Sequence, residues 1–320
     1  MRASKITEHE NKFASDYVDI NGTKFKVSSI ESITGGDIIK INPGYSSYFY
    51  PAKYTKTKII LHNTVGVLRS DIAALSKKDW HVSVPYVIAR NGTIYELFDP
   101  TMWSYHLGKG AIGGNKTNSK SSVAIELSSY GPLNRVKDNL ETMYSNVTYV
   151  DRNGNNKQTG RDVYCTVHER EQFIEVPVPY RGYRYFTGYT DAQLKSLNSL
   201  IDYLCERFDI PKQILDENIR YDLFSSSKEA REYTGICSHV NFIGNGKWDI
   251  GPEMDWDYLC PKDEPVIIES EPEVNEIEIE DIKIKPEVSI KAESTKVIPK
   301  PTKRFSVITF VLNLLKKYIV

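Results

Sequence analysis

A mixed α/β fold, with a central β-sheet flanked by helices, is what this sequence predicts, and three features carry that reading. Short β-rich runs alternate with helical periods between residues 46 and 260. Lys58–Asn63 (KIILHN) and Ser122–Leu127 (SVAIEL) are largely apolar and have the length of buried strands. The stretch Asp191–Phe208 opens with the capping-box pattern Thr190-x-x-Gln193. It then repeats Leu194, Leu197, Leu200, Ile201, Leu204 and Phe208 along one helical face, so it reads as a helix whose role is packing.

The other elements follow in order. Residues 1–45 read as an N-terminal extension with a strand at 23–28 (TKFKVS). Residues 82–89 and 93–98 flank Arg90-Asn91-Gly92, whose Asn-Gly pair tolerates positive φ, so the two runs form a hairpin. Residues 234–238 (TGICS) form another short strand. Within 130–189 a polar turn at 151–160 (DRNGNNKQTG) separates β-prone residues 147–150 from 163–167, which predicts an inserted hairpin.

The folded domain is expected to span residues 46–260. From 261 to 304 there are six prolines but no aromatic residue and no glycine, and residues 265–281 carry seven acids and no base. Such a segment reads as a disordered, self-repelling linker. Residues 305–320 (FSVITFVLNLLKKYIV) place Ser306, Thr309, Asn313, Lys316 and Lys317 as a polar stripe on an apolar helix. At about 24 Å this C-terminal amphipathic helix is shorter than the roughly 30 Å hydrocarbon core, so docking to a partner protein, to a membrane surface or to its own domain is expected instead of spanning.

Composition narrows the function. With 41 Lys+Arg against 42 Asp+Glu and a net charge of −1, there is no broad basic face, and nucleic acid is excluded as the expected partner. The N-terminal MRASKITEHENKF has no apolar run of the kind a secretory signal needs, so a cytosolic start is expected. Four cysteines without a C-x-x-C pair argue against a zinc ribbon or a redox site.

Histidines supply the candidate chemistry. His62 ends the 58–63 strand and leads into Asn63-Thr64-Val65-Gly66, so its ring is expected at the open end of the sheet. His239 ends the 234–238 strand, and a loop rich in Gly and Asn follows, with Lys247 eight and Asp249 ten residues later. Two neutral imidazoles and one carboxylate make the open three-ligand set of catalytic zinc, so His62, His239 and Asp249 are the expected Zn2+ ligands. His81 and His168 read as surface residues.

The stretches IILHNTVG (59–66), VSVPYVIARNGTIYELF (82–98), WSYHLG (103–108), SSVAIELSSYG (121–131) and SHVNFIGNGKWDIGPEMDW (238–256) together resemble the zinc-dependent N-acetylmuramoyl-L-alanine amidases of the type 2 class. That group includes phage lysins and peptidoglycan-recognition proteins. The resemblance implies their fold, with zinc on His62, His239 and Asp249, and Glu126 and Lys247 as catalytic residues. It also implies a zinc-activated water that cuts the amide between the lactyl group of N-acetylmuramic acid and L-alanine in bacterial peptidoglycan. Glu126 suits a general base that later protonates the leaving nitrogen, and Lys247 suits a charge beside the oxyanion.

Trp103 and Tyr105 are expected to offer aromatic faces to a sugar, and His106 a hydrogen bond to a substrate carbonyl. The tyrosines and arginines of 180–189 (YRGYRYFTGY) suit either glycan-peptide contact or packing. Three departures from the family pattern are Pro85, which predicts a bulged or edge strand, Ser238 and Ile250. The expected setting is a phage lysin held in the host cytoplasm until release to the wall, or a virion-associated one. Alternative readings are a non-catalytic peptidoglycan-binding module of the same fold and a zinc endopeptidase acting on the stem peptide.

Overall fold

The computed structural model describes residues 1–13, 17–20, 23–151 and 153–259. The linker at 261–304, the helix at 305–320 and Cys260 lie outside the described residues. The chain enters through α1 (Ile6–Phe13) and the antiparallel strands β1 (Tyr17–Ile20), β2 (Thr23–Ile33) and β3 (Gly36–Asn42). Next come β4 (Lys58–Asn63), α2 (Leu68–Leu75), the hairpin β5 (Tyr86–Ile88) and β6 (Ile94–Glu96), α3 (Asn115–Ser121) and β7 (Ser122–Leu127). An all-β segment follows: β8 (Pro132–Val136), β9 (Asn139–Glu141), β10 (Thr148–Val150), β11 (Asn156–Gln158), β12 (Val163–Thr166), β13 (Ile174–Tyr180) and β14 (Tyr183–Phe186). The remaining elements are α4 (Asp191–Phe208), α5 (Ser227–Glu232), β15 (Gly235–Ser238) and α6 (Trp256–Leu259).

Eight strands form one mixed sheet in the order β1-β2-β3-β6-β5-β7-β4-β15, in which β5, β7, β4 and β15 run parallel. Alternation along these strands decides which residues face which helix. Ile59 and Leu61 of β4, Val123, Ile125 and Leu127 of β7 and Ile236 of β15 pack with Leu194, Leu197, Leu200, Ile201 and Leu204 of α4. The intervening Ile60, Ala124 and Cys237 pack into clusters on the opposite face, Ala124 against Leu68 and Ile72 of α2. By the same parity His62 and Glu126 emerge on the face away from α4, and the two stand opposite each other in the β4–β7 register.

Helix α4 begins as its capping box requires. Thr190 Oγ1 accepts from the Gln193 amide at 3.1 Å, and Gln193 Oε1 accepts from the Thr190 amide at 3.3 Å. The buried Gln193 side chain also donates to the carbonyls of Ile88 and Ser128, tying the helix start to the ends of β5 and β7.

Three expectations are corrected. Residues before 46 do not stand apart as an extension: β1, β2 and β3 belong to the central sheet, and Phe13, Phe25, Ile38 and Ile41 are buried in its cores. Residues 163–167 do not pair with 147–150. Instead β12 pairs with β9, where Tyr164 and Cys165 cover Leu133 and Leu140, while β10 pairs with β11 from inside the polar turn. The inserted segment is therefore a five-stranded antiparallel sheet, β12-β9-β8-β14-β13, plus a separate hairpin. Pro85 makes neither a bulge nor an edge, because it stands one residue before β5, an interior strand, where no ladder donor is required. Among the described residues no helix is long and apolar enough to cross a membrane.

Helix α1 is fastened through Glu10, a buried carboxylate that accepts from the amides of Arg90 at 2.8 Å and Asn91 at 2.9 Å in the β5–β6 turn. Replacing it by Ala leaves two amides without acceptors. Glu10→Ala is expected to lower stability by roughly 2–4 kcal/mol in urea denaturation, whereas Glu8→Ala on the exposed face of the same helix is expected to leave the urea midpoint nearly unchanged.

Candidate metal centre and cleft

Strand ends and one loop bring the three expected ligands together. His62 is the penultimate residue of β4, and His239 follows β15, the neighbouring parallel strand. Asp249 is carried back to them because its carbonyl accepts from the Val240 amide at 3.0 Å. His62 Nδ1 lies 2.9 Å from His239 Nδ1, His239 Nδ1 lies 2.9 Å from Asp249 Oδ2, and His62 Nδ1 lies 3.4 Å from the same oxygen. All three residues are buried. Donors on tetrahedral zinc at 2.0–2.1 Å stand about 3.3 Å apart, so this spacing is close to that of three occupied vertices.

Hydrogen bonding around the rings determines which nitrogens are bare. The Ser122 hydroxyl donates to the Asn118 carbonyl at 2.7 Å, so its oxygen is left to accept from His106 Nε2 at 2.9 Å. His106 Nδ1 then has no proton and accepts from His62 Nε2 at 3.0 Å, which directs the electron pair of His62 Nδ1 toward His239 and Asp249. His239 Nε2 donates to the Leu107 carbonyl at 3.0 Å, which likewise leaves its Nδ1 bare. Two imidazole electron pairs and a carboxylate oxygen thus converge with no proton among them. That donor set fits a divalent cation with nitrogen and oxygen preferences such as zinc.

Electrostatics agree with this assignment. Burial, reinforced by the charge of Lys247, pushes His239 down to about 3, so its ring is neutral at ordinary pH. Burial acts to raise Asp249, but His239, Lys247 and hydrogen bonding outweigh it and hold the carboxyl well below the usual range. The cleft over the three ligands is lined by Asn63, Thr64, Glu126, His106, Lys247 and Trp248, among others. Its contents are therefore an acid, an ammonium group and the candidate metal ligands.

A family model described as N-acetylmuramoyl-L-alanine amidase matches residues 53–252. The chain belongs to this family. Among solved structures it is similar to the N-acetylmuramyl-L-alanine amidase AmiD of E. coli, solved with anhydro-N-acetylmuramic acid-L-Ala-D-gamma-Glu-L-Lys, at 18% identity and TM-score 0.30, covering 57% of this chain and 54% of that one. The chain thus spans about half the length of AmiD. It is also similar to the amidase LysC of Clostridium intestinale at 11% identity and TM-score 0.35, over 69% of this chain and 93% of that one. AmpDh3 of Pseudomonas aeruginosa, solved with anhydromuramic pentapeptide, gives 14% identity and TM-score 0.36 over 68% and 62%. No curated protein sequence matches the chain.

Not every expected residue sits in this cleft as its sequence reading implied. Trp103 and Tyr105 do not line it. They turn to the other side of the chain, where Tyr50 stacks between Trp103 at 4.3 Å and His81 at 4.2 Å and meets Tyr105 edge-on. Alternation of an extended segment explains the split, since His106 faces the cleft while residues 103 and 105 share the opposite side. His106 does reach the cleft, but His62 and Ser122 engage both of its nitrogens, so it orients the His62 ring instead of presenting a donor to the cleft. His81 is half-buried in this aromatic stack, whereas His168 is exposed as expected.

Sequence reasoning missed Ser122, the Leu107 carbonyl and Asp71. The Asp71 carboxylate accepts from Thr64 Oγ1 at 2.8 Å and Ser128 Oγ at 2.7 Å, just past the ends of the strands that carry His62 and Glu126. An acid at i+3 of a helix gives no sequence signal for this role. Burial pushes Asp71 up to about 7 from 3.8. Its stabilising contribution is therefore full below the lower value and is lost as pH rises through the higher one. Asp71→Asn removes this titration, so its urea midpoint should improve relative to the parent between about pH 4.5 and pH 8; a pH-independent difference contradicts the assignment.

Proposed function

We propose that the chain hydrolyses the amide between the lactyl group of N-acetylmuramic acid and L-alanine in peptidoglycan, with a zinc ion held by His62, His239 and Asp249. Family membership supports the choice of bond. The observation that carries the metal is the convergence of two imidazole nitrogens and a carboxylate oxygen within 3.4 Å. When bound there, zinc supplies Lewis acidity and lowers the pKa of water toward 7.

The chain's own groups do the rest of the chemistry. Glu126, opposite His62 on the cleft face of the sheet, takes the proton from the attacking water and returns it to the alanine nitrogen as the C–N bond breaks. That transfer leaves a free lactyl carboxylate and a free amine. Lys247 stands in the same cleft as a compact cation for the oxygen that becomes negative in the tetrahedral state. Ser122, His106 and the Leu107 carbonyl hold the two imidazoles in the tautomers that face the cation.

Chelation followed by zinc restoration is expected to abolish and then recover cleavage of purified sacculi, with mass spectrometry showing free lactyl ends. New peptide termini would instead mean an endopeptidase, and the absence of products would mean a binding module. Glu126→Gln is expected to reduce turnover by roughly 10²–10⁴-fold while zinc content stays at the parental level.

A further inference from the structure

The two arginines of residues 180–189 have separate fates. Arg184 is exposed and donates to the Pro177 carbonyl of its own hairpin. Arg181 instead reaches across to the loop behind the metal centre. One guanidinium nitrogen donates to the carbonyls of Lys247 at 2.6 Å, Gly244 at 3.2 Å and Ile243 at 3.4 Å, and the other to that of Tyr221 at 3.3 Å.

That loop carries Lys247 and Asp249. From 243 to 249 it has neither helix nor strand, and its backbone is tied at its two ends, where the Ile243 amide donates to the His239 carbonyl at 3.2 Å and the Asp249 carbonyl accepts from the Val240 amide at 3.0 Å. A guanidinium is permanently charged and presents five donors in a fixed plane, which suits several carbonyls converging from different directions. On the other side of the loop, Trp248 packs with Val65, Met143 and Tyr183. The inserted sheet therefore grips the loop twice, by charge at its carbonyls and by apolar contact at its indole.

The backbone gives a second, independent observation. Arg181 and Gly182 form the two-residue turn between β13 and β14, with φ of 49° and 92°. Positive φ at both positions is the pattern in which Asn-Gly is preferred, and a long side chain in the left-handed region is uncommon. An arginine is therefore an uncommon choice at a turn position that asparagine would fill without strain.

We propose that Arg181 is a positioning residue: its guanidinium fixes the 243–249 loop so that Asp249 completes the ligand set and Lys247 enters the cleft. The inserted five-stranded sheet then acts as a brace for the metal loop. This inference rests on the zinc amidase reading for its effect on turnover, but not for its effect on the loop or on metal binding.

Arg181→Asn is the decisive variant, because asparagine suits the left-handed turn and keeps the hairpin folded while removing the guanidinium. Hydrogen exchange of residues 243–249 in the metal-free full chain is expected to accelerate. Zinc affinity, measured by competition with a chromogenic chelator, should fall by roughly tenfold or more, as for other groups that orient ligands. The kcat on sacculi should fall with it, KM should change little, and added methylguanidinium should restore part of the loss. Arg184→Ala, on the same hairpin, should change none of these.

Parental exchange rates and zinc affinity in Arg181→Asn would overturn the proposal. If the parent binds zinc yet releases no lactyl product, the amidase reading fails while the loop and affinity measurements still decide the role of Arg181. As a check on folding, Arg181→Lys keeps the charge but loses the fork. It should show intermediate exchange and affinity; values equal to those of the parent would reduce the effect to charge alone and overturn the geometric part of the proposal.

Discussion

Three electron pairs packed within 3.4 Å of one another repel unless a positive charge lies between them, and the architecture around the cleft is arranged to keep them in place. The parallel pairing of β4 with β15 brings the two imidazoles to one end of the sheet. The register of β4 with β7 sets Glu126 beside them on the same face. The tautomer chain through His106 and Ser122 matters as much as the three side chains themselves, because it sets which imidazole nitrogens face the Asp249 carboxylate.

Holding polar groups at the end of a buried sheet requires polar anchors with complete hydrogen bonding, and two lysines provide them. Lys56 is buried and donates to the carbonyls of Met102 and Lys120, next to the segment that supplies His106 and the Leu107 carbonyl. Lys58 opens β4 and donates to Asn118 and to the carbonyls of Ala230 and Arg231. Desolvation lowers them to about 7 and about 8, respectively, which measures how dry these anchor points are. Asp71 plays the matching part at the opposite end of β4 and β7, with an acid in place of a base.

Much of the central sheet was legible because its strands are short apolar runs with clear ends. Lys58–Asn63 and Ser122–Leu127 were readable residue for residue, and Asp191–Phe208 with its capping box likewise. At the N-terminus residues 23–28 were readable as a strand but their membership of the central sheet was not, because β2 is an eleven-residue polar strand whose place depends on pairing with β3, and β3 in turn depends on its parallel neighbour β6. The inserted sheet was misread for a related reason. Local β-propensity identifies 163–166 as a strand but carries no information about its partner, and burial against Leu133 and Leu140 decides in favour of β9.

Residue chemistry and parity along single strands are local properties, and by themselves they determined that His62, Glu126 and His239 stand at strand ends, with Lys247 and Asp249 on a loop. Tertiary structure alone decided that His106 is spent on orienting His62, that Trp103 and Tyr105 face away, and that Arg181 reaches the 243–249 loop. Each of these depends on which partner lies within about 3 Å of a given nitrogen, a distance set by packing among segments remote in the chain, on which spacing along the sequence is silent.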